Sequence, residues 1–166
     1  MITNSKKKDF NCSIILTACI KPVDIPFLKR KSELDRLADY KEAFIKWCQN
    51  SKISKIIFIE NSGYDLSFFL NKAKEYPEKK IEVISTNLNN TFEKKLGKGY
   101  GEYLCLKEVF EKSHLSKNTD FFIKISGRYY INNYRKIFEE FKKKRADIYI
   151  CLKNNLSFAD SHVFAG

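Results

Sequence analysis

Several things are missing from this chain, and each absence narrows what it can be. The five cysteines, Cys12, Cys19, Cys48, Cys105 and Cys151, contain no C-x-x-C pair, which excludes zinc-ribbon and thioredoxin chemistry. Their odd number and their apolar settings predict reduced thiols and a cytoplasmic location rather than a disulfide framework. No window approaches 18 continuous apolar residues, so no membrane-spanning helix is expected. The lysine-rich N-terminus leads into a short apolar run that reads as a strand, not a signal peptide. The phosphate loop G-x-x-x-x-G-K-[ST] is absent. Strand one runs into "ACIKPVD" with no glycine, which argues against a dinucleotide fingerprint and against an S-adenosylmethionine domain.

What remains is an ordinary soluble composition. The 166 residues suit one domain with a core, 43% are hydrophobic and 31% charged. The formal net charge is +11, carried mostly by lysine. The lysines are scattered over helical faces, apart from Lys6–Lys8 and Lys142–Lys144, and read as solvated surface. The functional alternative is a peripheral contact with an anionic membrane or a phosphate-bearing ligand. Most Tyr and Phe fall in amphipathic core patterns, so no nucleic-acid partner is expected.

Strands and helices alternate along the chain. Cys12–Ile20 is a continuous β-branched strand, followed by a loop with two prolines. From Ser32, a plausible N-cap, Leu34, Leu37, Tyr40, Ala43, Phe44 and Trp47 recur at helical spacing. Further strands are expected at Ile53–Glu60, Lys80–Thr86, Asp120–Ser126 and Asp147–Lys153. Further helices are expected at 66–76, 103–115 and 133–145, with the tail starting another strand. The fold class is therefore α/β, a mostly parallel Rossmann-like sheet with helices on both faces. One domain spans 1–166, with 1–11 flexible and 154–166 opening an acceptor or C-terminal segment.

Ligands of such sheets bind outside the carboxyl ends of the strands. That rule selects "ACIKPVD", "ENSGYD", the loop ending "GKGYGE" and "SGRYYINN". Gly97, Lys98 and Gly99, just before a helix, suit a phosphate; the structural alternative is a flexible helix start. Glu60 and Asn61, with Ser62, suit a ribose and a base edge, or else form a turn. Lys124 reads as a surface charge on one strand face or as a ligand cation. Arg128, behind Ser126 and Gly127, can grip a diphosphate in bidentate fashion. Ala18 closes strand one at the same edge.

Together, "IIFIENSGYD", "GKGYGE" and "FFIKISGRYYINN" resemble the nucleotide-sugar-binding half of GT-A-type glycosyltransferases, those that build bacterial capsule or lipopolysaccharide. The resemblance covers roughly Ser13 to Lys153. It implies a nucleotide-sugar donor, a glycan or lipid-linked acceptor, and a site at the inner membrane face or in the cytoplasm, with an oligomer possible. The metal-binding Asp-x-Asp of that family is missing, and Ser126-Gly127-Arg128 stands in its place. The resemblance therefore implies no cofactor and a metal-independent transfer, with Arg128 and Lys98 or Lys124 offsetting diphosphate charge. Candidate catalytic bases are Asp160, His162 and Glu102. The alternatives are a non-catalytic or incomplete nucleotide-sugar-binding domain and, further off, a nucleotidyltransferase or a nucleic-acid-binding module.

Overall fold

A computed structural model of the chain describes residues 11–23, 28–143, 146–153 and 158–166. Residues 1–10, most of the stretch 1–11 expected to be flexible, and residues 154–157 of the expected C-terminal segment lie outside them. Six strands form one mixed sheet: β1 (Cys12–Ala18), β2 (Lys55–Glu60), β3 (Lys80–Ser85), β4 (Phe121–Ser126), β5 (Tyr149–Lys153) and β6 (Phe158–Ala165). Five helices accompany them: α1 (Glu33–Gln49), α2 (Ser67–Lys74), α3 (Gly97–Lys112), the single turn α4 (His114–Lys117) and α5 (Tyr134–Lys143). The α/β class and the mostly parallel sheet match the sequence expectation.

The strand order is β3-β2-β1-β4-β6-β5. From β1 the chain winds outward through β2 and β3, then returns to place β4 on β1's other side, all parallel. Right-handed crossovers in opposite directions put their helices on opposite faces. So α1 and α2 cover one face and α3 and α4 the other. The β1/β4 boundary is the switch point where a crevice opens at the strand ends. The tail forms a full strand, β6, antiparallel to both β4 and β5.

Period-two alternation splits the buried strand residues between the faces. Ile14, Leu16, Ile56, Phe58, Ile123 and Ile125 meet Phe44, Trp47 and Phe69 under α1 and α2. Ile15, Ile57 and Ile59 meet Cys105 and Val109 under α3. Ser32 caps α1 by accepting from the Asp35 amide, with Glu33 and Asp35 in the first turn, as its residue type predicts. Leu34 does not join the core; it is 76% exposed. Arg36 is buried instead, which rotates the buried stripe toward positions 36, 40, 43, 44 and 47.

One further boundary departs from expectation. The polar stretch after β3 is not one long loop: 3-10 turns form at Leu88–Asn90 and Lys94–Leu96, and α3 already begins at Gly97. The glycines of "GKGYG" thus make the first turn of a helix. Gly97, at φ 76°, supplies the backbone conformation that lets the preceding turn run into it. Among the described residues, no helix is long and apolar enough to cross a membrane.

Candidate functional site

A cavity of about 80 Å³ opens at the carboxyl ends of β1 and β4. Thr17 and Ala18 of β1 and Cys19 just after it line it, with Ser126 and Arg128 at the end of β4 and Asn61 after β2. Arg36 and Tyr40 of α1 close one side. Lys98, Gly101, Glu102 and Cys105 close the other, one helical face at i, i+3, i+4 and i+7. Asn89 and Phe92 of the turns before α3, His162 of β6 and Leu28 complete the wall.

Gly127 explains why the strand ends as Ser-Gly-Arg. Its amide donates to the Thr17 carbonyl at 2.8 Å, across the switch point. A Cβ there would stand 3.0 Å from that carbonyl oxygen and 3.3 Å from the Tyr40 ring. A side chain there would need the Thr17 carbonyl and the Tyr40 ring to give way, so glycine suits the approach, and Arg128 follows it into the cavity wall. The two tyrosines that follow anchor the loop. Tyr130 packs on Trp47 with ring centroids 4.7 Å apart, and its hydroxyl accepts from the Asn50 amide at 2.9 Å. The Tyr129 carbonyl accepts from the Trp47 indole N–H at 3.0 Å.

Glu60 is not free for a ribose or a base. Its carboxylate accepts from the amides of Ile20 at 2.8 Å, Ser62 at 3.0 Å and Tyr64 at 3.1 Å, and from the Ser62 hydroxyl. It ties the loop after β1 to the turn after β2 and does not line the cavity. Asn61 does line it. Its Oδ1 is buried with no hydrogen-bond partner among the described residues. Asn89, whose backbone N–H donates to the Asn61 carbonyl at 2.7 Å, leaves its side-chain Nδ2 in the same condition. An unpaired acceptor and an unpaired donor therefore sit on neighbouring residues of one wall.

Lys124 is not a surface charge. It is fully buried, and its ammonium donates to the Ser161 carbonyl at 2.6 Å and pairs with Glu102 Oε2 at 3.0 Å. Burial holds its pKa below the usual lysine value, with Glu102 opposing. Glu102 also accepts from the hydroxyls of Ser126 at 3.2 Å and Ser161 at 2.6 Å. One carboxylate thus links α3, β4 and β6. Asp160 pairs with Lys153 and with His162 Nδ1, and its pKa is pulled well below the usual carboxylate range, by Lys153 first. It lies outside the cavity wall, whereas His162, 48% exposed at the side chain, is part of it.

The wall is basic. Arg128 meets Asp39 only at 4.0 Å. Arg36 gives its Nε to the Cys19 carbonyl at 2.7 Å, Nη2 to the Tyr40 hydroxyl at 3.0 Å and Nη1 to the Arg30 carbonyl at 3.2 Å. Burial pushes the Tyr40 hydroxyl up to about 12, with Arg36 opposing. Of the expected site residues, Ala18, Asn61, Lys98, Glu102, Ser126, Arg128 and His162 share this wall. Glu60, Ser62, Gly97, Gly99, Lys124, Gly127 and Asp160 do not. Sequence reasoning missed Arg36, Tyr40, Asn89 and Phe92. An arginine four residues before Tyr40, on the buried stripe, was the available signal for the first two. Asn89, inside "NLNN", offered none. Among the described residues, no group of three His, Cys, Asp or Glu side chains could hold a metal ion.

No protein-family model and no curated protein matches this chain. Among solved structures, a 4-diphosphocytidyl-2C-methyl-D-erythritol synthase from Anaerococcus prevotii is similar over 94% of this chain and 69% of its own, at 12% identity and a TM-score of 0.47. HddC from Yersinia pseudotuberculosis is similar over 94% of this chain and 76% of its own, at 14% identity and a TM-score of 0.45. These corrected the sequence expectation: the chains found are not capsule or lipopolysaccharide glycosyltransferases, and the assignment to that family, with its glycan acceptor and capsule role, is withdrawn.

Proposed function

We propose that this chain binds a nucleotide in the switch-point cavity and transfers the nucleotidyl group to a phosphorylated acceptor. The observation that carries this reading is the union, in one wall, of unpaired amide groups and cations. Asn61 Oδ1 and Asn89 Nδ2 offer an acceptor beside a donor, which is what the edge of a nucleobase complements. Arg128 and Lys98 offer charge for the phosphates.

The balance of the reaction follows. An oxygen of a sugar or polyol phosphate forms a bond to the α-phosphorus of a nucleoside triphosphate. The bond from that phosphorus to the β-bridging oxygen breaks, and its electron pair leaves with pyrophosphate. Cations that meet the developing charge on the leaving group lower the barrier. A phosphate nucleophile is already ionised at neutral pH and needs no carboxylate to deprotonate it. That suits this wall, where Glu102 is engaged with Lys124, Ser126 and Ser161. We assign the acceptor contact to His162, whose Nδ1 is held by Asp160. Metal-independence belongs to the same proposal.

The test is pyrophosphate release from each nucleoside triphosphate with a panel of sugar and polyol phosphates, with added divalent metal and with excess chelator. Release that requires both substrates supports the reading. Nucleotide binding without release from any acceptor overturns the transfer step and leaves a binding domain. Release abolished by chelator and restored by metal overturns the metal-independent part.

A further inference from the structure

One side of the cavity wall gathers two unsatisfied amides and an aromatic ring. Asn61 is 5% exposed and Asn89 1%, yet Asn61 Oδ1 and Asn89 Nδ2 have no hydrogen-bond partner among the described residues. Both residues line the cavity, and so does Phe92, which is half-buried. Two buried amide groups left unpaired are costly, unless a close-fitting polar partner enters.

Gly101, in the first turns of α3, lets these groups meet. A Cβ there would stand 3.2 Å from Phe92 Cζ and 3.7 Å from Asn61 Nδ2. The tip of the ring and the Asn61 amide therefore crowd one point of the wall, where a side chain on residue 101 would press on both. The Asn61 carbonyl accepts from the Asn89 N–H at 2.7 Å, which fixes the second residue to the first. The ring is itself held. Tyr100 packs on Phe92 with centroids 5.2 Å apart and planes at 58°. The Lys94 ammonium lies over the ring, 4.4 Å from its centroid, and Lys94 is outside the cavity wall. A ring with one face covered by a cation has the other left for a planar partner.

We propose that Phe92 is the platform on which the nucleobase stacks, and that Gly101, by carrying no side chain, keeps the ring and the Asn61 amide where the base needs them. This rests on the nucleotide reading of the same cavity and deepens it by placing the base on the α3 side. The ring meets the face of the base, and Asn61 and Asn89 meet its edge. Stacking is indifferent to the order of donors and acceptors, because every base has a π-face. Phe92 thus contributes affinity for any base, and the two amides choose among them.

Calorimetry on the full chain tests this with each nucleoside triphosphate and with inorganic tripolyphosphate, which carries charge but no base. The variants are Phe92→Leu, Gly101→Ala and Phe110→Leu. Phe110, 44% exposed on α3 and outside the cavity wall, is the control for loss of a ring. Nucleotide binding should weaken about tenfold or more in Phe92→Leu, the loss expected for one base–aromatic stack. It should weaken in Gly101→Ala too, and be unchanged in Phe110→Leu. Tripolyphosphate should lose nothing in any variant, whereas a disturbed fold would weaken both ligands. Phe92→Leu binding nucleotides like the parent overturns the platform and leaves the nucleotide reading standing. Equal losses for nucleotide and tripolyphosphate overturn the platform as well. Gly101→Ala binding nucleotides like the parent overturns the role of Gly101 alone. If the parent binds no nucleoside triphosphate, with or without tripolyphosphate binding, the nucleotide reading fails and the platform falls with it.

Discussion

The two faces of the sheet are built from different materials. Under α1 and α2 the contact is aromatic and continuous: Phe44 meets Phe58 and Phe69 edge-on at 5.3 Å, and Phe58 stacks on Phe69 at 4.3 Å. Under α3 the apolar layer is short. Towards the carboxyl ends of the strands it gives way to Lys124, Glu102, Ser126 and Ser161. The first face holds the sheet together by excluding water. The second holds a polar network in register with a cavity. Close packing tolerates no ligand, whereas a network that fixes its own charges can present others to one.

The largest effect should come from the apolar face. Phe44→Ala removes a fully buried ring that touches two others, and should cost about 3–5 kcal/mol by the cavity rule. Denaturant unfolding measures it, and a cost under about 1 kcal/mol would mean that this face is loosely packed.

On the polar face the expected effect depends on which partner is removed. Glu102→Leu strands the buried Lys124 ammonium and should cost about 3 kcal/mol or more, whereas the double change with Lys124→Met should recover most of it. Equal costs for the single and double variants would show that the pair is not coupled. The pH dependence follows from the lowered lysine pKa. Between that lowered value and the ordinary value of 10.5, the unfolded chain binds more protons than the native one, so stability rises with pH across the window. Glu102→Leu should extend the rise to lower pH.

The smallest effect is expected at the cavity's outer rim. The folded-state pKa of Asp160 is depressed by Lys153 and by the His162 amide and ring. Its stabilisation is present above the ordinary value of 3.8 and is lost as pH falls through the depressed one. Asp160→Asn should therefore flatten part of the acid limb of a stability profile, by a small amount because Lys153 is half exposed. An unchanged acid limb would show that the pair contributes nothing.

The apolar face was readable from sequence because burial repeats: Tyr40, Phe44 and Trp47 announce a helix, and "KIIFIE" announces a doubly covered strand. The polar face was only half readable. "GKGYG" drew attention through its glycines, yet Gly97 and Gly99 leave the wall, and Lys98, Gly101 and Glu102 form it. Strand alternation placed Lys124 opposite Phe121 and Ile123. Whether that face met water or α3 depended on the crossover after β3, which no local pattern encodes. Glu60 misled for a similar reason: a carboxylate at a strand end serves backbone amides as readily as it serves a ligand. Arg128 lies in the cavity wall because Ser-Gly-Arg follows a strand at the switch point.

The measurement that bears most directly on the polar face is a thermal melt of the parent chain and of Arg128→Ala with saturating nucleoside triphosphate. A ligand that binds only the native state raises the melting temperature by mass action. The account predicts a rise in the parent with at least one nucleotide, and a much smaller rise in Arg128→Ala at an unchanged ligand-free melting temperature. No rise with any nucleotide, or an equal rise in both proteins, would contradict it.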